Sequence, residues 1–407
     1  MKVIIALDLQ ITTTPQYHRL ALIGACNKFQ FNFINTLYIM QNILCFSYER
    51  WDSVCQRPQH ILTRLSRENN VYYFEEPKDG SADIYEVELL EGVFIIKIYI
   101  NFKEENRNQR LSKLIDRIIN DHGINSYSCW YYTPMALAYT SQLKPELTVY
   151  NCLRESSYFR FSQPEFPVLE DELFERADIV FTGGKLHFEA NKNRHDNIHL
   201  IAGGVDKYHF KAARYNTVDP EDQKQIGSPR FGFSGVIDER FNTNLLKELS
   251  DKKPDWNFVI IGPITGIDVN DLPRADNIYY LGPKKYAELP KYYSHWDMAM
   301  LMFTTNQSTE FYSPIETLEY LAAGVPVISK SVNEVVKEYG DSHLVYIAND
   351  AESFIKYGER ELSKICRKEW LEKADQLLAD KSWDNTFEEI RFLLDNIKKR
   401  TITASQF

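Results

Sequence analysis

No Cys-x-x-Cys pair and no cadence of zinc ligands occurs among the six cysteines of this chain. Cys26, Cys45, Cys55, Cys129, Cys152 and Cys366 stand apart, most of them inside apolar, strand-like runs. The pattern excludes a disulfide framework or a zinc module, and the thiols read as buried ones in a reducing compartment. No stretch approaches the roughly 20 apolar residues of a membrane span. The amino terminus also lacks a charged segment followed by an apolar one, as a secretory signal would have. The expectation is a cytoplasmic chain, free to touch a membrane surface peripherally. Positive charge is scarce too: 47 Lys and Arg against 57 Asp and Glu leave a formal charge of -10. With its basic residues dispersed, the chain is not a sequence-independent nucleic-acid binder. Repeats and low-complexity tracts are absent.

What is present is ordinary for a globular protein: 44% hydrophobic and 26% charged residues. A length of 407 residues suits two domains, each with its own α/β core, and two domains imply a cleft. The 25 Tyr and 24 Phe serve a ring-padded core or a binding cleft equally. Residues 1–39 do not join smoothly to the strand-like run that begins at Met40. Either Met40 is the true start, or 1–39 form an accessory strand and helix.

From Met40 on, short β-rich runs alternate with helical spacing: Ile43 to Ser47, Val71 to Phe74, Val93 to Tyr99, Cys129 to Tyr132, Thr148 to Tyr150, Ile179 to Thr182 and Ile198 to Ile201. Such alternation predicts a parallel sheet with crossover helices over 40–206. A polar stretch, 207–228, reads as a linker. A second series then spans 229–381, with strands at Phe231 to Val236, Phe258 to Gly262, Ile278 to Gly282, Met298 to Phe303, Val325 to Ser329 and Leu344 to Ile347. Both halves are therefore expected to be Rossmann-like. Ser382 is the predicted N-cap of a last amphipathic helix, within 382–407, that packs back toward the first domain.

Ligands of open α/β sheets sit at the carboxyl ends of the strands. Gly235 and Gly262 each end a strand there, allowing close approach of a phosphate or simply a tight turn. The fuller constellation runs from Tyr312 to Ile328: Ser313 at N-cap and Pro314 at N1 open a helix whose first-turn amides, around Ile315, suit a diphosphate. Glu316 and Glu319 share one helix face. One carboxylate there suits two ribose hydroxyls, while Ser313 and Glu316 also have the spacing of a capping box.

The run from Ser313 to Ile328 resembles the donor-site signature of retaining glycosyltransferases of the two-Rossmann (GT-B) fold, family 4. Phe231 to Arg240, Val259 to Pro263, Tyr279 to Gly282 and Tyr286 to Asp297 agree in order and spacing. In the first half, Trp51 to His60, with Gln-Arg-Pro-Gln-His at its end, is similar to a block of a branch engaged in surface polysaccharide assembly. The resemblance implies a nucleotide-sugar donor, a glycan or lipid-linked acceptor, retention of configuration, and no metal or other cofactor. It implies that Glu319 holds the donor ribose, that the amides near Ser313 to Ile315 hold the diphosphate, and that Arg240 neutralises the leaving group. Glu155 is the second catalytic candidate, with Arg57, His60 and Asn151 on the acceptor side. For His60 a structural role is the competing reading. Two family features are altered. Val236 stands where an Arg is common, leaving Arg240 and Lys247 to supply charge, and the carboxylate spaced before Glu319 falls on Phe311, one place from Glu310. An epimerase or mutase on the same plan and a non-catalytic relative are the other classes considered. Ser47 to Trp51 offers no Gly-rich dinucleotide fingerprint.

Overall fold

The computed structural model describes residues 41–152, 163–216, 218–306, 309 and 311–404. Residues 1–39, Glu155 and Glu310, all part of the sequence reading, lie outside the described residues.

Within the first domain the strands are β1 (Asn42–Phe46), β2 (Asn70–Phe74), β3 (Lys78–Asp79), β4 (Ile84–Leu90), β5 (Val93–Ile100), β6 (Tyr127–Tyr131), β7 (Thr148–Cys152), β8 (Ile179–Thr182) and β9 (Ile198–Leu200). Their order is β3-β5-β2-β1-β6-β7-β8-β9, with β4 paired outside this path to β5. Side chains alternate between faces with the period of two that a strand imposes. Leu44 and Phe46 of β1 join a core on one face, and Ile43 and Cys45 join a core on the other. A sheet buried on both faces needs the near-continuous apolar runs that this sequence carries.

The β4–β5 hairpin is the main departure from the sequence reading. β4 runs antiparallel to β5, and most of its seven residues are exposed, so it carries no continuous apolar run to betray it. Its local signal is the turn. Glu91 and Gly92 have φ of 51° and 84°, the doubly positive pair that a tight two-residue hairpin requires.

The second domain contains β10 (Arg230–Ser234), β11 (Asn257–Ile261), β12 (Ile278–Gly282), β13 (Met298–Leu301), β14 (Val327–Lys330) and β15 (Val345–Ala348). Their order β12-β11-β10-β13-β14-β15, parallel throughout, is the doubly wound 3-2-1-4-5-6 pattern. Strand order reverses between β10 and β13, and in the first sheet between β1 and β6. Crevices at those two points face ligands in folds of this kind.

The stretch expected to be a linker is more ordered than its polar composition suggested. It forms the helix Lys207–Lys211 and a 3-10 turn at Ala212–Tyr215. Phe210 and Ala213 are buried in the second core, so this segment belongs to the second domain. The last helix, Trp383–Ala404, starts where expected: Ser382 Oγ accepts from the Asn385 amide at 3.1 Å. It buries Trp383, Phe387 and Ile390 in a core of the first domain. The chain thus crosses between domains twice, and the crossings lie side by side, joined by a bridge between Val205 and Ser382. Among the described residues no helix is long and apolar enough to cross a membrane.

Candidate functional site

The helix that follows β13 runs over Glu316–Ala323, and all eight of its residues are buried. Gly324 ends it with φ of 80°, the left-handed geometry that favours glycine at a helix end. Its amino terminus corrects the sequence reading. The N-cap is Ile315, without a side-chain cap, so Ser313 and Pro314 form the approach rather than the cap and first turn. The Thr317 amide bonds to the Pro314 carbonyl at 3.2 Å and the Leu318 amide to that of Ile315 at 2.9 Å. The chain tightens before the helix proper begins, a one- to two-residue shift typical of helix ends.

Ser313, Pro314, Ile315 and Glu316 line a cleft. Its opposite wall is made by Arg57, Gly183, Gly184, Lys185, Ala202 and Gly203 of the first domain. A smaller pocket shares Ile315 and Glu316 with it and adds Glu319, Ser234, Gly235 and Lys284. Glu316 therefore lines both concavities and Glu319 the smaller one, at the β10/β13 switch point.

Glu319 is 5% exposed, and Tyr293 donates its hydroxyl to it at 3.4 Å. Burial, and after it the neighbouring Glu316, holds the Glu319 carboxyl well above the usual carboxylate range. A carboxylate out of water needs donors. In the ligand-free protein Glu319 has one long hydrogen bond of this kind. A vicinal diol entering the pocket would bring two more donors, which favour the ionised form.

Gly235 and Gly262 follow the last residues of β10 and β11. Gly262 has φ of 144°, and a Cβ on it would stand 1.8 Å from the Gly235 carbonyl oxygen. Its requirement is thus set by Gly235, whose backbone lies against it. Gly235 itself lines the smaller pocket. Tyr320 fixes that edge by accepting from the Ser234 amide at 2.9 Å and donating to the Ser234 carbonyl at 3.1 Å.

Arg240 is 3% exposed. Asp238 grips its Nε at 2.9 and 3.0 Å and bonds Nη2 as well, while the Tyr312 ring lies 4.9 Å from the guanidinium carbon. Burial works against its charge, yet hydrogen bonding to Asp238 outweighs this and keeps the guanidinium above its ordinary value. Nη1 is buried without a hydrogen-bond partner. Arg240 reaches the cleft through Tyr312, which lines it, and is not itself part of the wall. Lys247 lies on the helix Thr243–Lys252 and pairs with Asp251, so it adds no charge to the cleft. A cation that sequence reasoning missed does line the smaller pocket: Lys284, bonded to Asp222 at 2.6 Å. Its position two residues after β12 was the available signal.

On the first-domain side, Arg57 opens the helix Arg57–Leu65 and lines the cleft. His60 lines neither concavity. It stacks on Trp383 at 4.5 Å between ring centroids, with Nδ1 3.6 Å from Asp206. Burial pushes its pKa to about 4, the Asp206 charge notwithstanding, so it is neutral at physiological pH and structural in role. Asp206 also accepts from Arg64 at 3.1 Å and from the Tyr286 hydroxyl at 3.2 Å, tying both domains at the crossing. Asn151 is 1% exposed, at the carboxyl edge of the sheet in β7. Glu334, which the sequence reading passed over, spans the cleft: its carboxylate accepts from the Leu186 amide at 2.6 Å. Among the described residues, no group of three His, Cys, Asp or Glu could hold a metal ion.

Comparisons with known proteins agree with this fold. The family model described as glycosyl transferase-like matches residues 240–400. A glycosyltransferase named for teichuronic acid biosynthesis, TuaH of Bacillus subtilis (strain 168), is 24% identical over 299 residues, covering 69% of this chain and 75% of that protein. Among solved structures, sucrose-phosphate synthase from Thermosynechococcus elongatus superposes with a TM-score of 0.64 at 15% identity, covering 88% of this chain and 100% of that one. Anabaena HepE in complex with UDP and glucose does so with a TM-score of 0.62 at 12% identity, covering 87% and 99%. The chain has the two-domain GT-B fold of these structures, and its second half matches the glycosyl transferase-like family model.

Proposed function

We propose that this enzyme moves a sugar from a nucleoside diphosphate sugar to a glycan or lipid-linked acceptor, with retention, during assembly of a surface polysaccharide. One observation carries the reading. A buried carboxylate, Glu319, faces a pocket at the strand-order switch point and has the hydrogen-bonding deficit that a ribose diol would relieve. In this reading the diphosphate lies along Ser313 to Ile315, and Gly235 admits its backbone approach. Charge on the departing diphosphate rises as the glycosidic bond breaks, so a fixed guanidinium stabilises the transition state more than the ground state. The unpartnered Nη1 of Arg240 is the group available for this, behind Tyr312. Glu155, on the segment after β7, remains the second catalytic candidate. The relative named for teichuronic acid biosynthesis supports a polysaccharide pathway, and the neighbour bound to UDP and glucose supports a uridine nucleotide.

Thermal-shift measurements against UDP, GDP, ADP and dTDP test the reading. One nucleotide at 100 times its dissociation constant adds about 2.7 kcal/mol of stability. Glu319→Ala should abolish that shift, and Arg240→Ala should lower turnover by roughly 10²–10³ with a smaller effect on binding. A chain that none of the four nucleotides stabilises is not a nucleotide-sugar enzyme.

A further inference from the structure

Buried polar atoms nearly always have hydrogen-bond partners, and three neighbours at the carboxyl edge of the first sheet break that rule together. Arg57 Nε, the Tyr132 hydroxyl and both amide atoms of Asn151 are buried without partners. The residues are 7%, 5% and 1% exposed. Parallel pairing of Tyr131 with Tyr150 sets Tyr132 level with Asn151 on adjoining strands. The Tyr132 hydroxyl and the Asn151 side chain are close enough to interact with each other, and Arg57 and Tyr132 are within electrostatic reach of one another.

The Arg57 guanidinium is anchored and yet unspent. Nη2 donates to the carbonyls of Ile201 and Ala202, the latter at 3.0 Å, which holds the group at the end of β9. Among the described residues no carboxylate forms an ion pair with it. Its nearest acid in electrostatic terms, Glu389 on the last helix, makes none either. Burial pulls the guanidinium down to about 10, which leaves it charged at neutral pH. A buried charge is normally paired. Lys185, exposed on the same wall of the cleft, is also without an ion pair among the described residues. The acids that face this wall are engaged or distant: Glu334 accepts from Leu186, Glu338 pairs with Lys381, and Glu316 belongs to the opposite wall.

We propose that Arg57, backed by Tyr132 and Asn151 and flanked by Lys185, is an oxyanion subsite on the first-domain wall of the cleft, taking a phosphate or carboxylate group of an acidic acceptor. This rests on the glycosyltransferase reading and adds the chemical class of the second substrate: a phosphate-bearing lipid or an acidic sugar rather than a neutral glycan. The guanidinium supplies charge and fixed donors to the oxyanion, while Tyr132 and Asn151 lie behind it, buried and outside the cleft wall.

Full-length protein saturated with its nucleoside diphosphate, so that the donor side is filled, is titrated with inorganic phosphate against chloride of matched ionic strength. Wild type should gain melting temperature with phosphate beyond the chloride control. Arg57→Gln should raise the apparent phosphate dissociation constant at least tenfold, and Lys185→Glu should weaken it less. Arg57→Lys, which keeps the charge, should retain part of the affinity and serves if the glutamine variant does not fold. Phosphate acting no better than chloride, or equally on wild type and both Arg57 variants, overturns the subsite. If Arg57→Gln instead weakens the nucleotide itself tenfold, the oxyanion held is the donor diphosphate and the acidic acceptor is overturned. Should no nucleotide bind at all, the glycosyltransferase reading fails, and phosphate titration of the ligand-free chain still decides the subsite.

Discussion

Glu319 carries two opposed demands. Its folded-state pKa lies above that of the unfolded chain, so the folded form holds the proton to higher pH, and stability is lost as pH rises from the ordinary carboxylate value through the raised one. Glu319→Gln keeps the shape and removes this loss. Without nucleotide, the variant should melt above wild type at pH 8. The gap should close near pH 4. With saturating nucleotide the order should reverse, because the diol loses a charged acceptor. Melting curves across pH decide it: a variant less stable than wild type at pH 8 without ligand would mean that Glu319 is a structural residue. Arg240 differs in kind, since Asp238 already balances its charge.

Sequence pattern marked most elements, because strands buried on both faces and amphipathic helices leave a period that one chain records. β4 escaped it, being exposed along most of its length, and the polar stretch at 207–228 hid a helix whose single large anchor, Phe210, has no periodic companions. Where two strand ends meet, the constraint is steric. Gly262→Ala would force a Cβ into the Gly235 carbonyl at a φ that side chains rarely adopt. It should cost about 2–4 kcal/mol or prevent folding of the second domain, read as a lower midpoint in urea. The same change at Gly123, where φ is 62° but nothing lies within 4 Å, should cost only the backbone strain, about 1–2 kcal/mol. Equal losses at the two sites would contradict the close approach at Gly262.

Across the whole molecule, the domains meet at the paired chain crossings and along both walls of the cleft. Asp206 gathers Arg64, His60 and Tyr286 near those crossings, while Glu334 reaches over the open side of the cleft to the Leu186 amide. The first group sits at the crossings and the second on the open side, so both are placed to bias how far the cleft opens. Hinged domains close around ligands when such contacts bias the equilibrium. Glu334→Ala should therefore increase the radius of gyration of the ligand-free protein in small-angle scattering and weaken nucleotide affinity about 5–10-fold, the range of one lost charge-assisted bond. A variant whose scattering curve overlays wild type with and without nucleotide would show that Glu334 exerts no such bias.

By itself the sequence determined the two doubly wound halves, the last helix with its Ser382 cap, and the helix that carries Glu316 and Glu319. These depend on local period, on capping chemistry and on motifs contiguous in the chain. Tertiary structure alone decided what the side chains do. Ser313 lies before the helix rather than capping it. Arg240 is gripped by Asp238 and stands behind Tyr312. His60 is neutral and packed on Trp383, and Lys247 points to solvent-exposed Asp251 instead of the cleft. Glu334 and Lys284 were invisible as site residues because their partners are 148 and 62 positions away, and Arg57, expected on the acceptor side, is anchored to a carbonyl 144 positions away. Whether a charge is spent or available depends on which carboxylate or carbonyl the fold brings within hydrogen-bond range, and no local pattern in a single chain records that distance.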